Sequence, residues 1–305
     1  MRVAILLLAL LIDHLLGDPP NRWHPVAWMG RGIAWAQRHA PGPHAPPARQ
    51  LAFGGGIVAA GVALTAGVGV MLTRLARALA APGILIEALV LSATLSLRGL
   101  NRAARQVENA LTAGDLPAAR HWLSWHLVSR RTDALDASQV AAAVIESIAE
   151  NASDGVIAPL TWYAIGGLPA ALAYRFLNTA DAMLGYRDPA REWLGKIPAR
   201  LDDAANLIPA RITALLIILA APLAGGDRGR AWRVWRRDAG KTASPNAGHP
   251  MSAMAGALGV RLEKPDHYTL GRDLRPPRAA DIAPARRIIT LAVALFALLL
   301  ALFRK

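Results

Sequence analysis

The chain has 305 residues, 54% of them apolar, with 34 Lys and Arg against 21 Asp and Glu and no cysteine. The lack of cysteine excludes disulfides, thiol nucleophiles and thiolate metal sites, and it leaves the redox compartment unread. A net charge of +13 comes with no motif that reads DNA or RNA, so a bilayer rather than a nucleic acid is the expected partner of the cations.

In chain order, VAILLLALLI (3–12) follows Arg2 and reads as an uncleaved anchor, because Asp13 and His14 stand where a small-residue cleavage site would be needed. Residues 17–50 read as a loop rich in Pro, His and Trp, irregular from Pro41 to Pro47. LAFGGGIVAAGVALTAGVGVML (51–72) runs 22 residues without a charge, enough to cross about 30 Å of hydrocarbon at about 1.5 Å per residue. GILIEALVLSATLSL (83–97) is a weaker span that carries Glu87 at membrane depth. Residues 98–145 are polar with a helical period, two helices joined at 114–117 with Asp115 as the cap of the second. GVIAPLTWYAIGGLPAALAY (155–174) holds Pro159, Gly166, Gly167 and Pro169, and so either crosses as a broken helix or turns back. LIPARITALLIILAAPLAG (207–225) and IITLAVALFALLLALF (288–303) are further spans, separated by a large basic loop at 226–287.

No strand-like alternation and no repeat of fixed period is visible. The expected fold is therefore all-α, a polytopic integral membrane protein with five or six transmembrane or re-entrant helices. It is a single membrane-embedded domain over 1–305, with an inserted helical hairpin at about 98–145. If every candidate crosses, loops 17–50, 98–155 and 226–287 share one side and hold 23 of the 34 Lys and Arg. The positive-inside rule then places them in the cytoplasm.

Three polar segments interrupt this apolar background. In IESIAENASDGVIAPL (145–160), Glu146, Glu150 and Asp154 follow at steps of four, which keeps them on one stripe of a helix beside Asn151. Like charges so close repel, and a cation must offset them; Mg²⁺, which takes one or two carboxylates plus phosphate oxygens, suits the stripe. The alternative is a solvated face at the first turn of a span, but acids at membrane depth are costly and tend to be functional. YRFLNTADAMLGYRD (174–188) sets Arg175, Asn178 and Asp181 three apart, and ARLDDAANLIPAR (199–211) places Asp202, Asp203 and Asn206 before a span. Either is also readable as an interfacial helix end. In the basic loop, SPNAGHP with Ser244, Asn246 and His249 beside Arg237 and Lys241 suits an anion nest, or equally a turn with lipid-facing cations. Gly240–Lys241–Thr242 is not a phosphate loop, since Trp235 stands where its first Gly is required. The DGVIAP stretch (154–159) lacks the Arg and later aspartates of CDP-alcohol phosphotransferases, and His121 and His126 are badly spaced for a metal.

Together DHLLGDPPNRWHPVAWMGR (13–31), ESIAENASDGVIAPL (146–160), AYRFLNTADAMLGYRD (173–188), ARLDDAANLIPARITALL (199–216) and SPNAGHPMSAMAGALGV (244–260) resemble the adenosylcobinamide-phosphate synthase family of cobalamin biosynthesis, in the family's order over most of the chain. The resemblance implies a multi-pass enzyme of the cytoplasmic (inner) membrane. It would be a carbon–nitrogen ligase joining aminopropanol, or its phosphate, to a propionate carboxyl of adenosylcobyric acid, with ATP and Mg²⁺ consumed. Activating a carboxylate through an acyl phosphate needs positioning and charge neutralisation. On this reading Glu146, Glu150 and Asp154 hold the metal, and Glu150 and Asn151 are catalytic. Arg175, Asn178, Asp181, Tyr186, Asp202, Asp203, Asn206, Lys241, Ser244 and Asn246 bind substrate or ATP. Asp18 or His24 takes the proton from the attacking ammonium. Other enzymes of the pathway are possible partners of the chain. An ion-coupled transporter is the reading from another class, since broken helices and intramembrane acids describe carriers too.

Overall fold

The computed structural model describes residues 2–185 and 191–302. Its helices are α1 (Arg2–Leu15), α2 (Pro25–Arg38), α3 (Pro47–Ala78), α4 (Ala81–Ser92), α5 (Leu97–Thr112), α6 (Leu116–His126), α7 (Ala137–Ala152), α8 (Ala158–Leu184), α9 (Lys196–Ala220), α10 (Arg228–Asp238), α11 (Gly248–Leu258) and α12 (Ile282–Leu302). Among the described residues, five helical stretches are long and apolar enough to cross a membrane: Pro47–Ala78, Ala81–Thr112, Ala137–Leu184, Lys196–Ala224 and Ala279–Leu302. The all-α polytopic architecture is thus the one found. At 14 residues α1 reaches only about 21 Å, short of the hydrocarbon core.

Two details depart from the sequence reading, and one alternative that it left open is decided. The first half of the Pro- and Trp-rich loop folds as α2, with His24 as its N-cap and Pro25 at the position where a missing N–H costs nothing. The large basic loop holds α10, α11 and a hairpin of β1 (Leu262–Lys264) and β2 (Tyr268–Leu270), antiparallel with Leu262 opposite Leu270. Strands of three residues are too short to show alternation. Finally, the glycine-rich span is two helices that meet at Gly167, whose φ of 70° and ψ of −161° leave the helical region. Trp162 stacks on Tyr174 with ring centroids 6.5 Å apart, where twelve residues of straight helix would rise about 18 Å, so the chain folds back there. Of the two readings of this span, the one that turns back is adopted: Trp162 and Tyr174 reach the neighbouring residues Ala205 and Asn206.

The chain divides into two compact units, Met1–Ser96 with Ala158–Asn206 and Leu97–Ile157 with Leu207–Lys305. In the first, α3 packs along α8, α1 along α4, and α2 against α8. Ile33, Val58, Phe176, Leu177, Ala180 and Leu184 form the core there. The close approach of α3 to α8 depends on missing side chains. A Cβ at Gly61 would sit 1.9 Å from the Phe176 ring, and one at Gly69 would sit 2.6 Å from Pro169 Cα. Leu64, Val68, Met71 and Leu75 of α3 are exposed instead. That is the packing of helices in lipid, where small residues let backbones meet and no water is expelled.

Gly61→Ala should therefore destabilise the detergent-solubilised protein by about 1–3 kcal/mol, the usual penalty of overpacking. Gly67→Ala, on the same helix with nothing within 4 Å, should be neutral or slightly stabilising. Thermal unfolding of the pair checks this; equal shifts would refute glycine-mediated packing.

In the second unit, α5 and α6 form the expected hairpin and pack on α7. Asp115 caps α6 by accepting the Ala118 N–H at 2.9 Å, and Asp136 with Gln139 closes a capping box on α7. Every residue of α7 from Val140 to Ala149 is buried. Arg286 on α12 pairs with Glu108 on α5 at 2.9 Å.

Candidate active site

Glu146 and Glu150 lie one turn apart on α7, and both line a cavity of about 270 Å³ in the second unit. The other walls come from the loop after α6, which contributes Arg130, and from the hairpin, which contributes Lys264 and Tyr268. Glu146 is 5% exposed, and its Oε2 meets Arg130 Nη2 at 3.5 Å. Glu146 Oε1 and Arg130 Nε are buried without a hydrogen-bond partner in the protein. A buried orphan of each sign, in one cavity, is what a site that awaits a ligand presents. Burial, and then the charges of Glu146 and Glu150, push the Tyr268 hydroxyl above its usual range, so it stays a neutral donor.

The stripe does not extend to Asp154. Residues Ser153–Ile157 form a π turn, in which hydrogen bonds run to i+5, so a step of four no longer returns to the same face. Asp154 does not line the cavity. Among the described residues no group of three or more His, Asp or Glu is disposed to hold a metal ion. The three-carboxylate site is corrected to a pair. Asn151 donates to the carbonyl and hydroxyl of Ser147, at 2.9 and 3.0 Å, and Ser147 donates to the Leu127 carbonyl. It thereby braces α7 against the loop that carries Arg130.

In the first unit the structure brings the two other polar segments together. Tyr174 donates to Asn206 Oδ1 at 2.9 Å, Asn206 donates to Asp202 Oδ2 at 3.0 Å, and Asn178 donates to Asp202 Oδ1 at 3.4 Å. Arg175 donates to Asn178 Oδ1 at 3.2 Å. The result is one line of polar contacts from Tyr174 to Arg175 across α8 and α9, with Asp202 and Asn206 buried. Asp181 and Asp203 are electrostatically coupled to Asp202. Tyr186 lies outside the described residues. Asp18 and His24 also sit together, His24 Nε2 lying 3.6 Å from Asp18 Oδ1 while Nδ1 accepts the Val26 N–H at 3.2 Å. Both nitrogens of His24 are engaged, so it orients Asp18, which remains the more open of the two. Asp18 also lines an apolar cavity of about 800 Å³ with Trp23, Trp28, Leu64 and Phe176.

The basic segment is built differently from an open anion nest. Ser244 Oγ accepts the N–H groups of Asn246 and Ala247, and Thr242 Oγ1 donates to the Ser244 carbonyl and accepts the Gly248 N–H. These N–H groups already have acceptors within the turn. Lys241 Nζ is 2.6 Å from the buried carboxylate of Asp238, which also receives Arg237 and the Gly271 N–H at 2.7 Å. Burial alone would raise the Asp238 carboxyl, but these donors outweigh it and hold it below the usual carboxylate range. Arg237 continues to Asp273 at 2.7 Å. Trp235 Nε1 donates to His249 Nδ1 at 2.9 Å, and burial together with the Arg211 charge keeps that imidazole below its usual range. The segment therefore reads as a pinned scaffold that ties α10 to the strand β2 end, and Lys241 is engaged there.

Sequence reasoning missed Arg130, Lys264 and Tyr268. They come from a ten-residue loop and a short hairpin with no local motif, and the hairpin is far from α7 in sequence. Only the uncompensated charge of Glu146 and Glu150 pointed to cations nearby.

The CobD/Cbib protein family matches residues 6–296. The chain is 42% identical to cobalamin biosynthesis protein CobD of Dehalococcoides mccartyi over 273 residues, covering 89% of this chain and 87% of that protein. It is 41% identical to the protein of that name from Klebsiella pneumoniae over 281 residues, 90% and 85% of the two chains. The Brucella suis protein is 38% identical over 274 residues, 88% and 84%. No solved structure matches. With the match running nearly end to end and spanning all three polar segments, the chain belongs to the CobD/Cbib family, whose named relatives are cobalamin biosynthesis proteins.

Proposed function

We propose that the protein is an ATP-dependent ligase of the inner membrane that joins aminopropanol, or its O-phosphate, to a propionate carboxyl of adenosylcobyric acid. The observation that carries this reading is the α7 cavity, where two carboxylates one turn apart face Arg130 and Lys264 and one buried atom of each sign lacks a partner. Mg²⁺ takes one or two carboxylates and leaves positions for phosphate oxygens, which fits Glu146 and Glu150. Bound there, it supplies charge neutralisation at the transferring phosphoryl group.

The residues of the chain then have separate tasks. Arg130 and Lys264 hold phosphate oxygens, and Tyr268 donates a neutral hydrogen bond to them. A propionate oxygen attacks the γ-phosphorus, ADP leaves and an acyl phosphate results. The amine nitrogen, once it has lost its ammonium proton, attacks the carbonyl carbon. The C–N bond forms as inorganic phosphate leaves, with one ATP spent per amide. The Tyr174–Asn206–Asp202–Asn178–Arg175 line is assigned to substrate contacts. Ion-coupled transport gains nothing from the relatives, which are named for biosynthesis.

The test is an assay of the full-length chain in detergent with ATP, Mg²⁺, adenosylcobyric acid and either aminopropanol or its phosphate. ADP release is expected only when both acid and amine are present, in step with an amide product seen by mass spectrometry. ADP release that ignores the corrinoid acid, or the absence of amide with both amines, overturns the reading.

A further inference from the structure

A second charged cavity lies within the first unit and takes no part in the reaction proposed above. It measures about 190 Å³, and Arg2, Arg74 and Arg77 line it together with Thr73, Glu87 and Gly167. The three guanidinium groups come from the first residue of α1 and the last turns of α3. No carboxylate is paired with any of them among the described residues. Glu87 lines the same space, but its carboxylate accepts the Tyr163 hydroxyl at 3.0 Å. The hydroxyl of Thr73 is buried without a hydrogen-bond partner. The break in α8 also lines the space, and a Cβ at Gly167 would lie 3.8 Å from Arg2 Nη2.

We propose that this cavity binds a phosphate-ester anion, with the arginines as its charged donors and Thr73 as a neutral one. Three guanidinium groups against one engaged carboxylate leave a positive site, and the planar fork of arginine matches phosphate oxygens two at a time. Its place also indicates the carrier. Arg74 and Arg77 stand in the last turns of the 32-residue span α3, the end of a span being where it leaves hydrocarbon for water. Leu75, Leu79, Leu85 and Leu89 are exposed on the neighbouring turns, an apolar surface that acyl chains cover. The head group of an anionic phospholipid fits both halves of this surface, whereas a free phosphate ester uses only the arginines. Ordinary snorkelling cations explain basic residues at a span end, but not a cavity with an orphaned buried hydroxyl.

The experiment uses the full-length protein in detergent supplemented with phosphatidylglycerol or with phosphatidylcholine, followed by native mass spectrometry. Wild type should retain phosphatidylglycerol at least about tenfold better than Arg74→Gln/Arg77→Gln, as expected for the loss of two charged donors. Arg74→Lys/Arg77→Lys should recover part of that binding, and Arg22→Gln should behave as wild type. Phosphatidylcholine retention should be weak and unchanged by all three. Displacement of the lipid by millimolar inorganic phosphate or a short phosphate monoester would show the same site serving a soluble anion. Equal retention of phosphatidylglycerol by wild type and the double Gln variant, with the variant folded by its unfolding temperature, overturns the proposal.

Discussion

Glu150→Gln should lower the rate of amide formation at least about 100-fold while the protein remains in the membrane at wild-type abundance. The substitution removes one of the two carboxylates of the α7 cavity but keeps its shape. Losing a metal ligand removes several kcal/mol of transition-state stabilisation, and each ~1.4 kcal/mol is a factor of ten. Raising Mg²⁺ should recover part of the loss if the defect is affinity. Lys264→Gln should instead raise the ATP concentration needed for half-maximal rate, with a smaller fall in the limiting rate, because the proposed task of Lys264 is to hold phosphate rather than the metal. Wild-type turnover in Glu150→Gln, measured with both substrates saturating, would remove the cavity from the reaction.

The second large effect belongs to Asp202. Its two oxygens accept from Asn206 and Asn178, so an amide at this position turns a donor toward one of two donors. A buried donor left without an acceptor costs about 1–3 kcal/mol. Asp202→Asn should lower the unfolding temperature in detergent and abolish detectable activity. Tyr174→Phe deletes only the far end of the same line and should cost about 1 kcal/mol. The double variant should be less harmful than the sum, because both changes act on one network through Asn206. Strict additivity, or an active Asp202→Asn, would show that the line is not a unit.

The sequence carried the spans and the polar hairpin well, since both rest on local signals: long charge-free runs for α3 and α12, and Asp115 placed before Pro117 for α6. The pairing of α8 with α9 through Asn178 and Asp202 was not legible, although both segments were singled out, because contact between distant helices leaves no mark on either one. The π turn at 153–157 defeated the stripe argument, which assumes an unbroken α-helical step from Glu150 to Asp154. In residues 25–38, Pro and Trp suggested a loop, yet one proline stood at the first helical position and His24 capped it. Arg130 and Lys264 sat in segments with no periodicity, and only the folded chain joins them to Glu146.

The glycine face of α3 has a thermal consequence. Its contact with Phe176 and Pro169 expels lipid, not water, so it is held by dispersion and carries little of the heat-capacity change that makes apolar association in water fade on cooling. The hairpin of α5 and α6 is different: Leu100, Val107 and Leu123 are buried beneath polar surfaces that face water. On chilling toward the freezing point, the α5–α6 hairpin should loosen while α3 and α8 stay locked, a division between cold-labile and cold-indifferent parts visible as hydrogen exchange that rises in 97–126 alone.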